Sequence, residues 1–183
     1  MLKDMRISII LGTNRKDNKS KIFADYYIKL LTKEGVDNSI FSMDELTKVL
    51  DWNKMYDYEN SPVNELTEKY IKPADAFVFV IPEYNGSFPG IVKLMIDSIH
   101  PEHFKGKFAS VIGIASGRAG NLRGIEHLNG VLQHLGIHTL PNVLPISQIF
   151  NLIDENDSLI DKSTQFLIEK DADALIKLVE NNR

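Results

Sequence analysis

Short apolar runs of strand length alternate along this chain with stretches of helical spacing, and that alternation restricts the fold more than any single residue does. Residues 7–11 (ISIIL), 76–81 (AFVFVI) and 108–115 (FASVIGIA) are the clearest runs. Each is nearly all apolar, as a strand buried on both faces requires. Residues 39–43 read as a shorter second strand and residues 138–144 as a fifth. Between the first two strands, Ile22, Phe23, Tyr26, Tyr27, Leu30 and Leu31 recur at helical spacing behind a candidate N-cap, Asn18, and Gly35 closes that helix. Residues 63–71, 89–99, 122–135 and 163–179 read as further helices. Residues 52–62 are irregular, aromatic and acidic. They read as a surface excursion in which Trp52, Tyr56 and Tyr58 offer a contact surface that could seal a dimer or border a site.

Strands that alternate with helices imply a parallel sheet with helices on both faces. Five strands at this spacing match an α/β, flavodoxin-like, doubly wound five-stranded parallel sheet of order 2-1-3-4-5. A length of 183 residues suits one such domain over residues 1–183. Right-handed crossovers then bring the loops after strands one, three and four to one edge of the sheet, where ligands bind in such folds.

Those are the unusual loops. Residues 12–20 (GTNRKDNKS) place small, hydroxyl, amide and cationic groups just before a helix, whose amino end offers free N–H groups and a positive dipole end. Thr13, Asn18 and Ser20 are candidate side-chain donors, and Arg15 can make a bidentate contact to phosphate oxygens. Neither the GxxxxGK[ST] spacing nor GxGxxG is present, so a monophosphate fits better than a triphosphate or a dinucleotide. Residues 82–90 (PEYNGSFPG) turn abruptly polar and aromatic after the third strand, and Asn85-Gly86 permits positive backbone angles and close approach to a planar ligand. The loop after the fourth strand, residues 116–121 (SGRAGN), is rich in glycine. Ordinary solvated turns are the competing reading of each loop taken alone.

Several function classes recede. A formal net charge of −4 gives no electrostatic case for nucleic acid or an anionic membrane. With no cysteine there is no disulfide, thiolate metal site or cysteine nucleophile. His127 and His134, or His100 and His103, lack the grouping of a zinc site, so no metal is expected. The first apolar segment is too short for a signal or a membrane span, and a cytoplasmic protein is expected.

On the three motifs GTNRKDNKS, PEYNGSFPG and SGRAG, the chain resembles the NADPH-dependent FMN reductase family of flavodoxin-like oxidoreductases, which includes quinone, chromate and azo-dye reductases. The resemblance implies noncovalent FMN, hydride taken from NADPH or NADH, and electrons passed to a small acceptor by a ping-pong mechanism. The flavin carries the chemistry, so no protein residue is assigned as catalytic. Carried over by position, Thr13, Arg15, Asn18 and Ser20 would hold the phosphate. Pro82, Glu83, Tyr84, Asn85 and Gly86 would line the isoalloxazine, and Ser116, Gly117 and Gly120 would face its pyrimidine side. Glu83 reads as a structural acceptor for backbone N–H groups. Arg118 stands where the family commonly has glycine. It is a candidate for the charge on the reduced flavin, for the extra phosphate of NADPH, or for a solvated loop cation. The family's habit implies a homodimer or homotetramer. Two other functions fit the same fold: a flavodoxin-type electron carrier, and a cofactor-free flavodoxin-like binding module.

Overall fold

The computed structural model describes residues 3–182. Its centre is a parallel sheet of β1 (Lys3–Leu11), β2 (Val36–Ser42), β3 (Ala76–Pro82) and β4 (Phe108–Ile114), with two short pieces, β5 (His138–Thr139) and β6 (Leu144–Ile146), beside β4. The order is β2-β1-β3-β4-β5, with β6 also paired to β4, so the flavodoxin-like topology expected from the alternation is present. The helices are α1 (Ser20–Lys33), α2 (Met43–Val49), α3 (Asn64–Leu66, running on as a wider turn over Thr67–Ile71), α4 (Gly90–Asp97), α5 (Leu122–His134) and α6 (Lys162–Glu180).

Strand residues alternate strictly between two cores. Ile7 and Ile9 of β1, Val78 and Val80 of β3, and Ile112 and Ile114 of β4 pack with α1 and α6. Ile10, Phe77, Phe79 and Val111 point the other way, into the packing of α2 to α5. Both faces of the sheet are therefore covered by helices, which is why β3 carries no polar side chain and residues 7–11 of β1 and all of β4 carry one serine each. The exceptions are satisfied. Ser8 donates to the Tyr70 carbonyl at 2.6 Å, and Ser110 donates to the carboxylate of Asp171 at 2.7 Å. Lys107 lies half-buried at the amino edge of the sheet, where its ammonium donates to the carbonyls of Ile71, Lys72 and Ala74. It satisfies the orphan acceptors at the end of the α3 segment.

Two expectations need correction. The fifth strand is not continuous over residues 138–144: it breaks after Thr139 and resumes at Leu144, and Pro141, inside the gap, has no N–H for a ladder. A helix, α2, follows β2 directly and takes Met43, which the sequence reading assigned to the strand. Ser42 starts it by accepting the Asp44 amide at 3.3 Å, with Asp44 and Glu45 at the positive end of the helix dipole. Residues 52–62 are a succession of turns: a short one over Trp52–Lys54, the next closed by the Asp57 amide on the Lys54 carbonyl at 3.1 Å.

Candidate functional site

The carboxyl ends of β1, β3 and β4 open into one cleft of about 350 Å³. Its walls are residues 15–20 from the first loop, residues 82–84 from the second and residues 114–116 from the end of β4, with Ile149 and Phe150 on the far side. The volume falls in the range of small-molecule sites. A second, strongly charged groove of about 810 Å³ continues from residues 15–19 along the outer face of α1.

At the phosphate-like end, the loop after β1 folds back on itself before α1 begins. The Asn18 side chain accepts the Lys21 amide at 3.2 Å and donates to the Arg15 carbonyl at 2.8 Å, so it caps the helix although the helical turn starts only after Lys19. Arg15 is exposed at the rim, and Ser20 is buried in the first turn. Lys19 also lines this wall, with its ammonium held between both carboxylate oxygens of Asp157 at 2.6 and 2.8 Å.

Thr13 sits behind the wall, 1% exposed. Its hydroxyl lies 2.7 Å from the Tyr84 hydroxyl and accepts the Arg15 amide at 3.1 Å. The first loop and the second are thus tied by one side-chain bond, and Thr13 sets the shape of the loop from which Arg15 projects.

In the second loop the chain reverses over Tyr84, Asn85, Gly86 and Ser87. Tyr84 and Ser87 exchange backbone bonds at 2.9 and 3.1 Å, while Asn85 and Gly86 take positive φ values of 52° and 77°. This is the primed two-residue turn that Asn-Gly favours. It leaves the amides of Asn85 and Gly86 as the central donors of the turn, one step beyond the residues that form the cleft wall. Outside the turn stands α5. Arg123 lies 3.6 Å from where a Gly86 side chain would start and 3.8 Å from the Glu83 carboxylate, and His127 Nδ1 is 2.9 Å from the Ser87 hydroxyl. Glu83 therefore faces a guanidinium where the sequence reading expected backbone amides. Neither Arg123 nor the Ser87 partner His127 carries a motif; both reach the turn only because α5 packs beside it.

The loop after β4 contributes Ser116 to the wall. Gly117 and Arg118 are exposed next to it, and the Gly117 carbonyl accepts the Gln148 amide at 3.0 Å. Gly120 has a positive φ of 60°, and Pro145 would lie 2.8 Å from a β-carbon there. A side chain at that place would collide with β6. Asn121 closes the loop by donating from its side-chain amide to the Ile81 carbonyl at 3.1 Å. Of the residues picked from the sequence, the structure therefore gathers Arg15, Asn18, Ser20, Pro82, Glu83, Tyr84 and Ser116 on one wall; Thr13 braces it, and Asn85, Gly86, Gly117, Arg118 and Gly120 lie just outside it. Among the described residues, no group of His, Cys, Asp or Glu is arranged to hold a metal ion, and no helix is long and apolar enough to cross a membrane.

A family model described as NADPH-dependent FMN reductase matches residues 5–151. An NAD(P)H-dependent FMN reductase of Pseudomonas aeruginosa is 39% identical over 119 residues, which cover 62% of this chain and 64% of that protein. A 2-hydroxy-1,4-benzoquinone reductase of Burkholderia is 25% identical over 98% of both chains. Among solved structures, an NAD(P)H:acceptor flavoenzyme from Paracoccus denitrificans superposes with a TM-score of 0.81 at 24% identity, over 97% of this chain and 98% of the other. That last likeness carries the fold alone. The match over residues 5–151 spans every loop of the cleft and both of its outer residues, Ile149 and Phe150, and by it the chain belongs to the NADPH-dependent FMN reductase family.

Proposed function

We propose that this protein binds FMN in the cleft at the carboxyl edge of the sheet and uses it to reduce a small acceptor at the expense of NADPH or NADH. The observation that carries the reading is the convergence of three loops, 15–20, 82–84 and 114–116, on one cleft that ends at the amino terminus of α1. The donor set fits the cofactor. A helix amino end with Arg15, Asn18 and Ser20 suits a phosphate dianion, and a Tyr-bearing wall followed by a turn with two central amides suits a flat heteroaromatic ring.

Bound FMN would supply the redox chemistry, accepting hydride from the nicotinamide and returning electrons to the acceptor. The chain's own part is binding and orientation. Arg15 and the first-turn amides of α1 would hold the phosphate, with the Thr13–Tyr84 bond keeping the loop in the shape that presents them. Tyr84, Pro82 and Ser116 would flank the ring, and Asn85, Gly86, Gly117, Arg118 and Gly120 would act from the second row. Arg123 offsets the Glu83 carboxylate, so that charge does not stand uncompensated beside a group that gains electrons. Successive use of one flavin face by nicotinamide and acceptor would give ping-pong kinetics.

The same reading takes residues 1–183 as one domain of a cytoplasmic homo-oligomer, dimer or tetramer. The absence of cysteine and the exposed Trp52 and Tyr56 support it, and light scattering checks the oligomer. Fluorescence titration of the purified protein with FMN and with riboflavin tests the site. FMN is expected to bind the more tightly of the two, and Arg15→Ala to narrow the gap. Equal binding of both flavins by the wild type would remove the phosphate assignment, and no binding of either would favour a cofactor-free module.

A further inference from the structure

Lys19 stands on the boundary of two spaces, since it lines both the cleft and the charged groove outside it. Its ammonium is held from neither of the other cleft loops. Both carboxylate oxygens of Asp157 hold it, at 2.6 and 2.8 Å, across 138 residues of sequence. Asp157 lies beyond residues 5–151, the span of the family match, and reaches back to the first loop from the segment between β6 and α6. That segment is tightly built. Ile153 and Leu159 form an antiparallel bridge, the Asp154 amide donates to the Ser158 carbonyl at 3.0 Å, and Asp154 Oδ1 accepts the amides of Asn156 and Ser158 at 2.9 and 2.8 Å. Leu159 anchors the hairpin in the core shared with α1 and α6. Near its tip Asp157 takes a left-handed φ of 58°, unfavourable for most residues with a β-carbon. A fixed hairpin thus presents a carboxylate to a cation of the phosphate-like loop.

We propose that Asp157 is a latch that competes with the phosphate of FMN for the Lys19 ammonium, so that the hairpin before α6 weakens the grip on the cofactor. The proposal rests on the FMN reading above and deepens it by naming a control on the same site. Charge sets the sign. A phosphate monoester brings roughly two negative charges. At this wall it meets a lysine already neutralised, with a carboxylate beside it, and must draw the ammonium off Asp157 or bind without it. The exchange is feasible because the pair is solvated, with side chains 30% and 52% exposed, and exposed ion pairs are weak. A purely orienting Asp157 would act with the opposite sign, because it would then help Lys19 to reach the phosphate.

The test is fluorescence titration of the flavin-free, full-length protein with FMN and with riboflavin, which lacks the phosphate. Asp157→Asn keeps the hairpin, because asparagine tolerates the left-handed φ as aspartate does. This variant is expected to bind FMN roughly two- to fivefold more tightly, the worth of an exposed ion pair, with riboflavin unchanged. Lys19→Gln is expected to weaken FMN binding, and in that background the gain from Asp157→Asn is expected to shrink, since no ammonium is left to compete for. Weaker FMN binding by Asp157→Asn makes Asp157 an orienting residue and overturns the proposal. Unchanged FMN binding overturns it too, as does an equal gain for riboflavin, which would trace to loop shape. An equal gain with and without Lys19 reduces Asp157 to a repelling charge and also overturns the latch. Wild-type protein that binds FMN and riboflavin alike defeats the phosphate assignment itself, and is recognised before any variant is made.

Discussion

Asp171 is the buried carboxylate of α6, 9% exposed, and it carries the most quantitative consequence of the fold. Tyr27 donates to Oδ1 at 2.8 Å, and Ser110 reaches both oxygens at 2.7 and 2.8 Å. Burial pushes its pKa up from 3.8 to about 6, and the hydroxyl donors of Ser110 and Tyr27 only partly oppose that shift. A folded-state pKa above the unfolded one means that the native state holds the proton where the unfolded chain has lost it. The stability this confers is present below the unfolded value and is lost as pH rises towards about 6. The gap of about two units is worth ~3 kcal/mol over the whole window, of which ~1 kcal/mol falls between about pH 5 and pH 7. Asp171→Asn keeps an acceptor for one hydroxyl and has no charge to desolvate. Urea denaturation of both proteins across this range gives the difference directly. His103 titrates nearby with the opposite sign, since burial and then Lys72 lower its pKa, but it is common to both proteins and cancels. The wild type is expected to gain stability on the variant as pH falls. A difference that stays flat from about pH 7 to pH 5 would refute the account of Asp171.

Tyr84→Phe removes the hydroxyl that braces Thr13, leaving the Arg15 amide as the partner of Thr13. FMN affinity is expected to drop by ~0.5–1.5 kcal/mol and riboflavin affinity by less, because the brace acts on the phosphate loop; equal losses by fluorescence titration would contradict this. At Gly86 the nearest atoms to an added β-carbon are 3.6 Å away, so Gly86→Ala meets no clash and its cost comes from the positive φ alone. A loss of ~1–2 kcal/mol in denaturant melts is expected, and a neutral result would mean that the turn relaxes.

The sheet was legible because a strand buried on both faces has almost no freedom in composition, as residues 76–81 show. The Asn85-Gly86 turn was legible because few other pairs tolerate its angles. Helix α2 was missed although Ser42 and Glu45 stand at capping-box spacing across its start. The broken fifth strand was marked by Pro141. Arg123, Lys19 and Phe150 are another matter. Arg123 meets Glu83 forty residues away in sequence, Lys19 is claimed by Asp157 across 138 residues, and Phe150 owes its place to bonds that Gln148 and Ile149 make with the loop after β4. No local pattern encodes such contacts, since they exist only once α5 and the chain after β6 have packed.

The central claim is that the three-loop cleft holds an FMN that reduced nicotinamide can reach. The most direct measurement is the visible absorbance spectrum of the purified protein, reconstituted with FMN and kept anaerobic, before and after addition of NADPH or NADH. The account predicts a bound-flavin spectrum that bleaches within the time of mixing with at least one of the two nucleotides and recovers when a quinone is added. A bound flavin that stays oxidised for minutes with both nucleotides would contradict it and leave an electron carrier in its place.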